Sequence, residues 1–210
     1  MEILYEDPSV IVVIKPQGIL SKSDKKGGES MITKLQAHTG GEVYPVHRLD
    51  KETGGVMVYA KTQKAAAALS RDISEHRFYK EYLALVHGVP EKQSDTLCDL
   101  LFHDKAKNKS YAVKRERGGV KKAELYYELL ETVEKDGEKY SLLRVELHTG
   151  RTHQIRVQLA SRKMPLSGDR KYGARDGRNE LALWARRLRF THPETKEVME
   201  FIKDRNMLNR

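Results

Sequence analysis

His47-Arg48-Leu49-Asp50-Lys51-Glu52-Thr53-Gly54-Gly55 leads from a strand-like Val43 through a tight turn into Gly55-Val56-Met57-Val58-Tyr59-Ala60, an apolar run with strand character. A carboxylate beside an arginine at the end of a strand is kept ionised near neutral pH by the opposite charge, which suits it to catalysis. Asp50 also reads as a turn residue that bonds the backbone through its own side chain, the commoner use of Asp at such a place. These residues alone leave both readings open, so the rest of the chain has to be read outward from them.

Upstream, Ile11-Val12-Val13-Ile14 is a buried strand, stopped by the turn Lys15-Pro16-Gln17-Gly18, and Met31 to His38 forms a short helix. Downstream, Gln63 to Glu75 places Ala66, Ala67, Leu69 and Ile73 on an amphipathic helix capped by Thr62. Tyr79 to Val86 is a strand that ends at Gly88 and Pro90. Ala123 to Glu131 and Tyr140 to Leu147 alternate as strands around the polar turn Lys135-Asp136-Gly137-Glu138. His153 to Ala160 is a helix between Gly150 and Met164-Pro165, and Leu181 to Ile202 holds two strands around Thr191-His192-Pro193. There is no tandem repeat and no βαβ rhythm, so the class is a strand-rich α+β fold.

Length and composition bound the rest. A chain of 210 residues, 39% hydrophobic and 33% charged, is long enough for one sizeable domain over residues 1–210, or two small ones, without a covalent staple. Cys98 is the only cysteine, which excludes a disulfide scaffold and points to a reducing compartment, the cytoplasm. The apolar run from Val10 to Ile14 is too short to span a membrane. A net charge of +9 points to a polyanionic partner, nucleic acid before an anionic membrane. Between His103 and Lys122 that charge is concentrated: Lys105, Lys107, Lys109, Lys114, Arg115, Arg117, Lys121 and Lys122 face only Asp104 and Glu116. With Gly118-Gly119 inside it, the stretch reads as an exposed basic hairpin or loop at about 103–122.

Two further groupings carry chemistry. Gly150-Arg151-Thr152-His153-Gln154-Ile155-Arg156 sets two arginines, an imidazole and an amide behind a glycine, an arrangement for a phosphate or carboxylate, or simply a solvated basic helix end. His148 and His153 lack a Cys or Glu at ligand spacing, so no metal site is expected. In Lys80-Glu81-Tyr82 the ring of Tyr82 can stack on a base and its hydroxyl can move a proton, or it can serve packing alone.

Taken together these blocks resemble one family. Lys15-Pro16-Gln17-Gly18, the block from His47 to Gly55, Ala60-Lys61-Thr62, Lys80-Glu81-Tyr82, the block from Thr149 to Arg156, and the block from Pro165 to Gly173 stand in the order seen in RluA-type RNA pseudouridine synthases. The resemblance runs from about Ile3 to Ile202. It implies a mixed, largely antiparallel sheet flanked by helices and loops, with a central RNA-binding cleft. It implies a cofactor-free isomerase that breaks the N-glycosidic bond of a uridine in ribosomal or transfer RNA and rejoins the base through carbon. By position Asp50 is the catalytic aspartate, Tyr82 the tyrosine against the base, Arg156 the arginine that pairs with Asp50, and Arg48 the residue that helps displace the flipped nucleotide. Arg151, His153, Lys105, Lys107, Lys109, Lys114 and Arg115 are expected to hold RNA, with no metal and no protein partner evident. Two positions depart from the family: Gly54 stands in place of a usual Ser, and Gln158 in place of a usual His. The chain begins almost at the first motif, so the expectation is a single catalytic domain without a separate N-terminal RNA-binding domain. The competing readings are a non-catalytic RNA-binding module, and a metal-dependent nuclease built from His47, Asp50, His148 and His153.

Overall fold

The β-branched run at 10–14 leaves no polar face, so it must be covered on both sides. In the computed structural model, which describes residues 1–23 and 29–208, every residue from Val10 to Lys15 is buried. In chain order the elements are β1 (Glu2–Glu6), β2 (Val10–Lys15), α1 (Met31–Thr39), β3 (Tyr44–Pro45), β4 (Gly54–Ala60), α2 (Gln63–Ser74) and β5 (Tyr79–His87). They continue with β6 (Ser94–Asp104), β7 (Lys109–Val113), β8 (Val120–Lys135), β9 (Glu138–Leu147), α3 (Gln154–Ala160), β10 (Leu183–Thr191) and β11 (Val198–Ile202). Within each compact unit the pairing is antiparallel except for β4 with β10, which makes the fold a mixed, mostly antiparallel α+β structure. Among the described residues no helix is long and apolar enough to cross a membrane.

The chain divides into two compact units. One comprises Met1–Lys80 and Trp184–Arg205; the other comprises Glu81–Leu183 and the residues from Asn206 on. In the first, the strand order is β1-β2-β4-β10, with β11 added to β10 and β3 to β4. Ser30 caps α1 in a reciprocal capping box with Thr33, and Thr62 caps α2 by accepting from the Ala65 N–H. The apolar face of α2 differs from the expected one. Ala65 and Leu69, one turn apart, are buried, whereas Ala67 is exposed, because the covered stripe is narrow and alanine tolerates either side.

In the second unit the order is β5-β9-β8-β6-β7. Alternation buries Ala123, Leu125 and Tyr127 on β8 and Ser141, Leu143 and Val145 on β9. Asp136 and Gly137 both take positive φ (53° and 77°), the geometry of a tight hairpin turn that matches strand twist. Helix α3 is buried from Gln154 to Leu159, and its polar side chains are bonded inward: Gln154 to the Glu124 carbonyl, Arg156 to Asp169, Gln158 to the Leu97 carbonyl and Asp99. Val157 packs with Leu101 and Ala123, and Tyr172 covers that cluster.

Candidate active site

From His47 to Asp50 the chain lies outside any strand or helix, and its side chains differ in burial. Arg48 is exposed, Leu49 is buried and Asp50 is half-buried. Ser21 clamps the Leu49 backbone in both directions, donating to its carbonyl (2.8 Å) and accepting from its N–H (3.0 Å). The Tyr59 hydroxyl in turn donates to the Ser21 carbonyl. His47 accepts from the Val58 N–H at Nε2 and stands edge-on to Phe78. Burial, helped by the Lys80 ammonium, pushes its pKa down to about 3, so it is a neutral anchor for this segment at any ordinary pH.

The turn that follows is held carbonyl by carbonyl. The Thr53 N–H donates to the Asp50 carbonyl, the Gly18 N–H to Lys51, and Gln17 Nε2 to Glu52. Lys15, fully buried, donates Nζ to the carbonyls of Pro16, Lys51 and Thr53 at 2.9, 3.1 and 2.7 Å. Burial pulls the Lys15 pKa down to about 8 against the opposing pull of the Asp50 and Glu52 carboxylates. The segment Lys15-Pro16-Gln17-Gly18, read from the sequence as a strand stop and as a motif of the resemblance, is therefore the mould of the turn that carries Asp50.

The departure at Gly54 has a steric cause. Gly54 pairs with Trp184 across the parallel β4–β10 register, and a Cβ on it would lie 2.6 Å from Trp184 Cζ3 and 3.0 Å from the Lys15 carbonyl oxygen. No side chain fits there while the indole does. Gly55 is constrained in a second way: its φ is +125° and a Cβ would meet the Ala185 carbonyl oxygen at 2.1 Å. Trp184 donates Nε1 to the Lys203 carbonyl and lies under Arg205, whose Nη1 donates to Gln17 Oε1. Thus the C-terminal segment braces the same mould.

In the second unit Tyr82 lies on β5, buried, opposite Val145 of β9. Arg156 forms a two-pronged pair with Asp169, Nε to Oδ2 at 2.7 Å and Nη2 to Oδ1 at 2.8 Å, with both side chains almost wholly buried. Its guanidinium also lies over the Tyr172 ring at 5.2 Å. The Tyr172 hydroxyl accepts from the Ser110 N–H and shares a hydrogen bond with His153 Nδ1 (2.9 Å). His153 itself takes a left-handed backbone conformation (φ 55°) at the start of α3. Burial, with Arg156, Lys171 and His103 nearby, pushes the His153 pKa down to about 4, so it is neutral. Arg151 is exposed and donates Nε to the Lys122 carbonyl, and His148 pairs with Glu124. Gln158, the other departure, ties α3 to β6 through the Leu97 carbonyl and Asp99, which also takes Arg162.

The basic stretch is a β6–β7 hairpin followed by a loop. Lys105, Lys107, Lys114 and Arg115 are exposed, while Lys109 is half-buried over the rings of Tyr111 and Tyr172. Ser110, buried, fastens the hairpin to the α3 start through the Thr152 carbonyl, and Lys171 reaches the Asn108 carbonyl. Sequence reasoning assigned no role to Lys15, Gln17, Ser21, Asp169 or Tyr172. All but Ser21 lie inside the quoted motifs, and an unexplained Lys before Pro and a lone Asp after Ser-Gly were the available signals.

A family model described as RNA pseudouridylate synthase matches residues 9–161. The chain is 34% identical over 215 residues to the tRNA pseudouridine synthase C of Haemophilus ducreyi, with 93% of this chain and 87% of that one covered. It is 37% identical over 186 residues to the ribosomal large subunit pseudouridine synthase D of Borreliella burgdorferi, with 83% and 55% covered. Among solved structures, human RNA pseudouridylate synthase domain containing 1 superposes with a TM-score of 0.82 at 24% identity, over 97% of this chain and 83% of that one.

Proposed function

The chain belongs to the RluA-type RNA pseudouridine synthases of the RNA pseudouridylate synthase family, isomerases that act on RNA, and on that premise we propose that Asp50 drives the isomerisation of a uridine in transfer or ribosomal RNA. The observation that carries the assignment is the mould around Asp50: each carbonyl from Asp50 to Thr53 is held by a donor from Lys15, Gln17, Gly18 or Thr53 itself. A turn pinned in this way positions a carboxylate with little freedom to lose, which is what a group acting on one bond requires.

The target uridine is flipped out of its stack, and the exposed Arg48 takes the space it leaves. The Asp50 carboxylate promotes cleavage of the N1–C1′ bond, as nucleophile or as base toward the sugar. The detached base turns against Tyr82 and C5 bonds to C1′, as the Asp50–C1′ bond breaks on the nucleophilic route or the sugar regains its proton on the other; the C5 proton then leaves and N1 takes up one, so the product is an isomer of the starting uridine. Arg156, held by Asp169 and Tyr172, is the residue that the resemblance implies as the cation keeping Asp50 ionised. Arg151, Lys105, Lys107, Lys109, Lys114 and Arg115 grip the RNA backbone, and His153 supports that surface as a neutral donor. Residues 1–210 act as a single catalytic domain without a cofactor, in the cytoplasm.

The test is incubation of uridine-labelled RNA with the protein in EDTA. Pseudouridine is expected from the wild-type protein and none from Asp50→Asn, which binds RNA nearly as well because amide and carboxylate have the same shape. Turnover by Asp50→Asn within tenfold of wild type sinks the assignment; strand scission abolished by EDTA would indicate a nuclease, and binding without chemistry an RNA-binding module.

A further inference from the structure

Three partly or fully buried lysines of the first unit make an informative contrast. Lys15 gives its protons to three carbonyls, and Lys61 pairs with Glu6 at 2.7 Å. Lys80 has neither kind of partner among the described residues. Its ammonium lies 5.9 Å from the Phe78 ring centroid, and burial alone lowers its pKa, with no carboxylate raising it. Its charge is felt at His47, at the head of the segment that carries Arg48 and Asp50. A cation withdrawn from water without a counter-charge is costly to the free protein, and an anion from elsewhere relieves that cost.

We propose that Lys80 is a phosphate seat: it takes a backbone phosphate of the bound RNA next to the target uridine. This deepens the reading of the Asp50 site and rests on it. The seat is preformed. Phe78 is buried, stacked on Phe190 at 5.9 Å and met edge-on by His47 at 5.3 Å, so the aromatic face under Lys80 is rigid. The ammonium is partly desolvated before RNA arrives, so less water has to be removed when the phosphate binds. On β5, Lys80 precedes Tyr82 by two residues, and strand alternation sends both side chains to one face. A phosphate on Lys80 therefore belongs to the same stretch of backbone as the base against Tyr82. His47, held neutral, neither competes for the phosphate as a cation nor repels it as an anion.

The experiment uses the full chain, Lys80→Met and Lys80→Arg, with a fluorescein-labelled oligouridylate of twelve residues as the probe. Affinity is measured against salt, and thermal melting without RNA. Lys80→Met is expected to bind roughly five- to tenfold more weakly, with a log-affinity against log-salt slope shallower by about 0.7, one single-strand phosphate contact. It is also expected to melt no lower than wild type, since an uncompensated charge has been removed, and Lys80→Arg to restore most of the affinity. A Lys80→Met protein that melts well below wild type with unchanged affinity and slope would show a structural lysine and overturn the proposal. So would weaker binding with the wild-type slope. Tritium release from C5-labelled RNA, measured in parallel for Asp50→Asn, tests the underlying site separately. If that variant turns over, the Asp50 reading fails while the salt slope still judges the seat.

Discussion

Replacing Lys15 by methionine keeps the apolar stem and removes the ammonium that donates to the carbonyls of Pro16, Lys51 and Thr53. The Lys51 carbonyl retains the Gly18 N–H at 2.8 Å, so the carbonyls of Pro16 and Thr53 bear the loss. Leaving a buried polar group unsatisfied costs roughly 1–3 kcal/mol each. Against this, the folded protein no longer buries an ammonium whose pKa has dropped to about 8 from an ordinary value near 10.4, a relief on the order of 3 kcal/mol. The two largely offset, and the variant is expected to lose at most about 3 kcal/mol of stability. Turnover is expected to fall on the order of 100-fold, because a turn freed at Thr53 lets Asp50 drift, and a displacement of about 1 Å is enough for that loss. The sign of the pH effect follows from the depressed pKa. From about pH 8 to 10.4 the unfolded chain holds the Lys15 proton and the folded one sheds it, so this group's contribution to stability rises with pH over that window. Activity moves the other way, since a neutral amine has two protons for three carbonyls, and an alkaline limb near pH 8 is expected. The assays are denaturant unfolding across pH 7–10 and tritium release from C5-labelled RNA under single-turnover conditions. Turnover of Lys15→Met within threefold of wild type, or an unchanged alkaline limb in the variant, would refute the reasoning.

Gly54→Ser should cost about 1–3 kcal/mol by overpacking against Trp184, and combining it with Trp184→Leu should be less than additive by about 1 kcal/mol; a double-mutant cycle by urea unfolding checks this, and strict additivity would mean the clash is absent. Asp169→Asn leaves the Arg156 guanidinium buried without its carboxylate, so stability should drop by roughly 3–5 kcal/mol and turnover should fall with it; melting within a degree of wild type would count against the pair. Neutralising Lys105, Lys107, Lys109, Lys114 and Arg115 together should flatten the salt dependence of RNA binding and raise KM more than it lowers kcat; superimposable salt plots would make the hairpin bystander charge.

The order of motifs and the hydrophobic periods in this sequence determined the class of fold, most strand and helix positions, and the residue on which the chemistry is proposed to turn. Those signals are local: β-branched runs at 10–14, alternation on β8 and β9, and a Thr ahead of α2 act through neighbours within a few residues. Strand β6 went unread from Ser94 to Phe102, because its burial is irregular and its pairing with β8 is set by residues 18 to 34 positions away. What only the tertiary structure decided are the partners. Lys15 meets Thr53, Gln17 meets Arg205, Gly54 meets Trp184 and Ser110 meets Thr152 across separations of 38 to nearly 190 residues, and nothing in local spacing encodes which of them touch. A buried ammonium or a missing Cβ is an answer to a neighbour, and the neighbour exists only once the chain has folded.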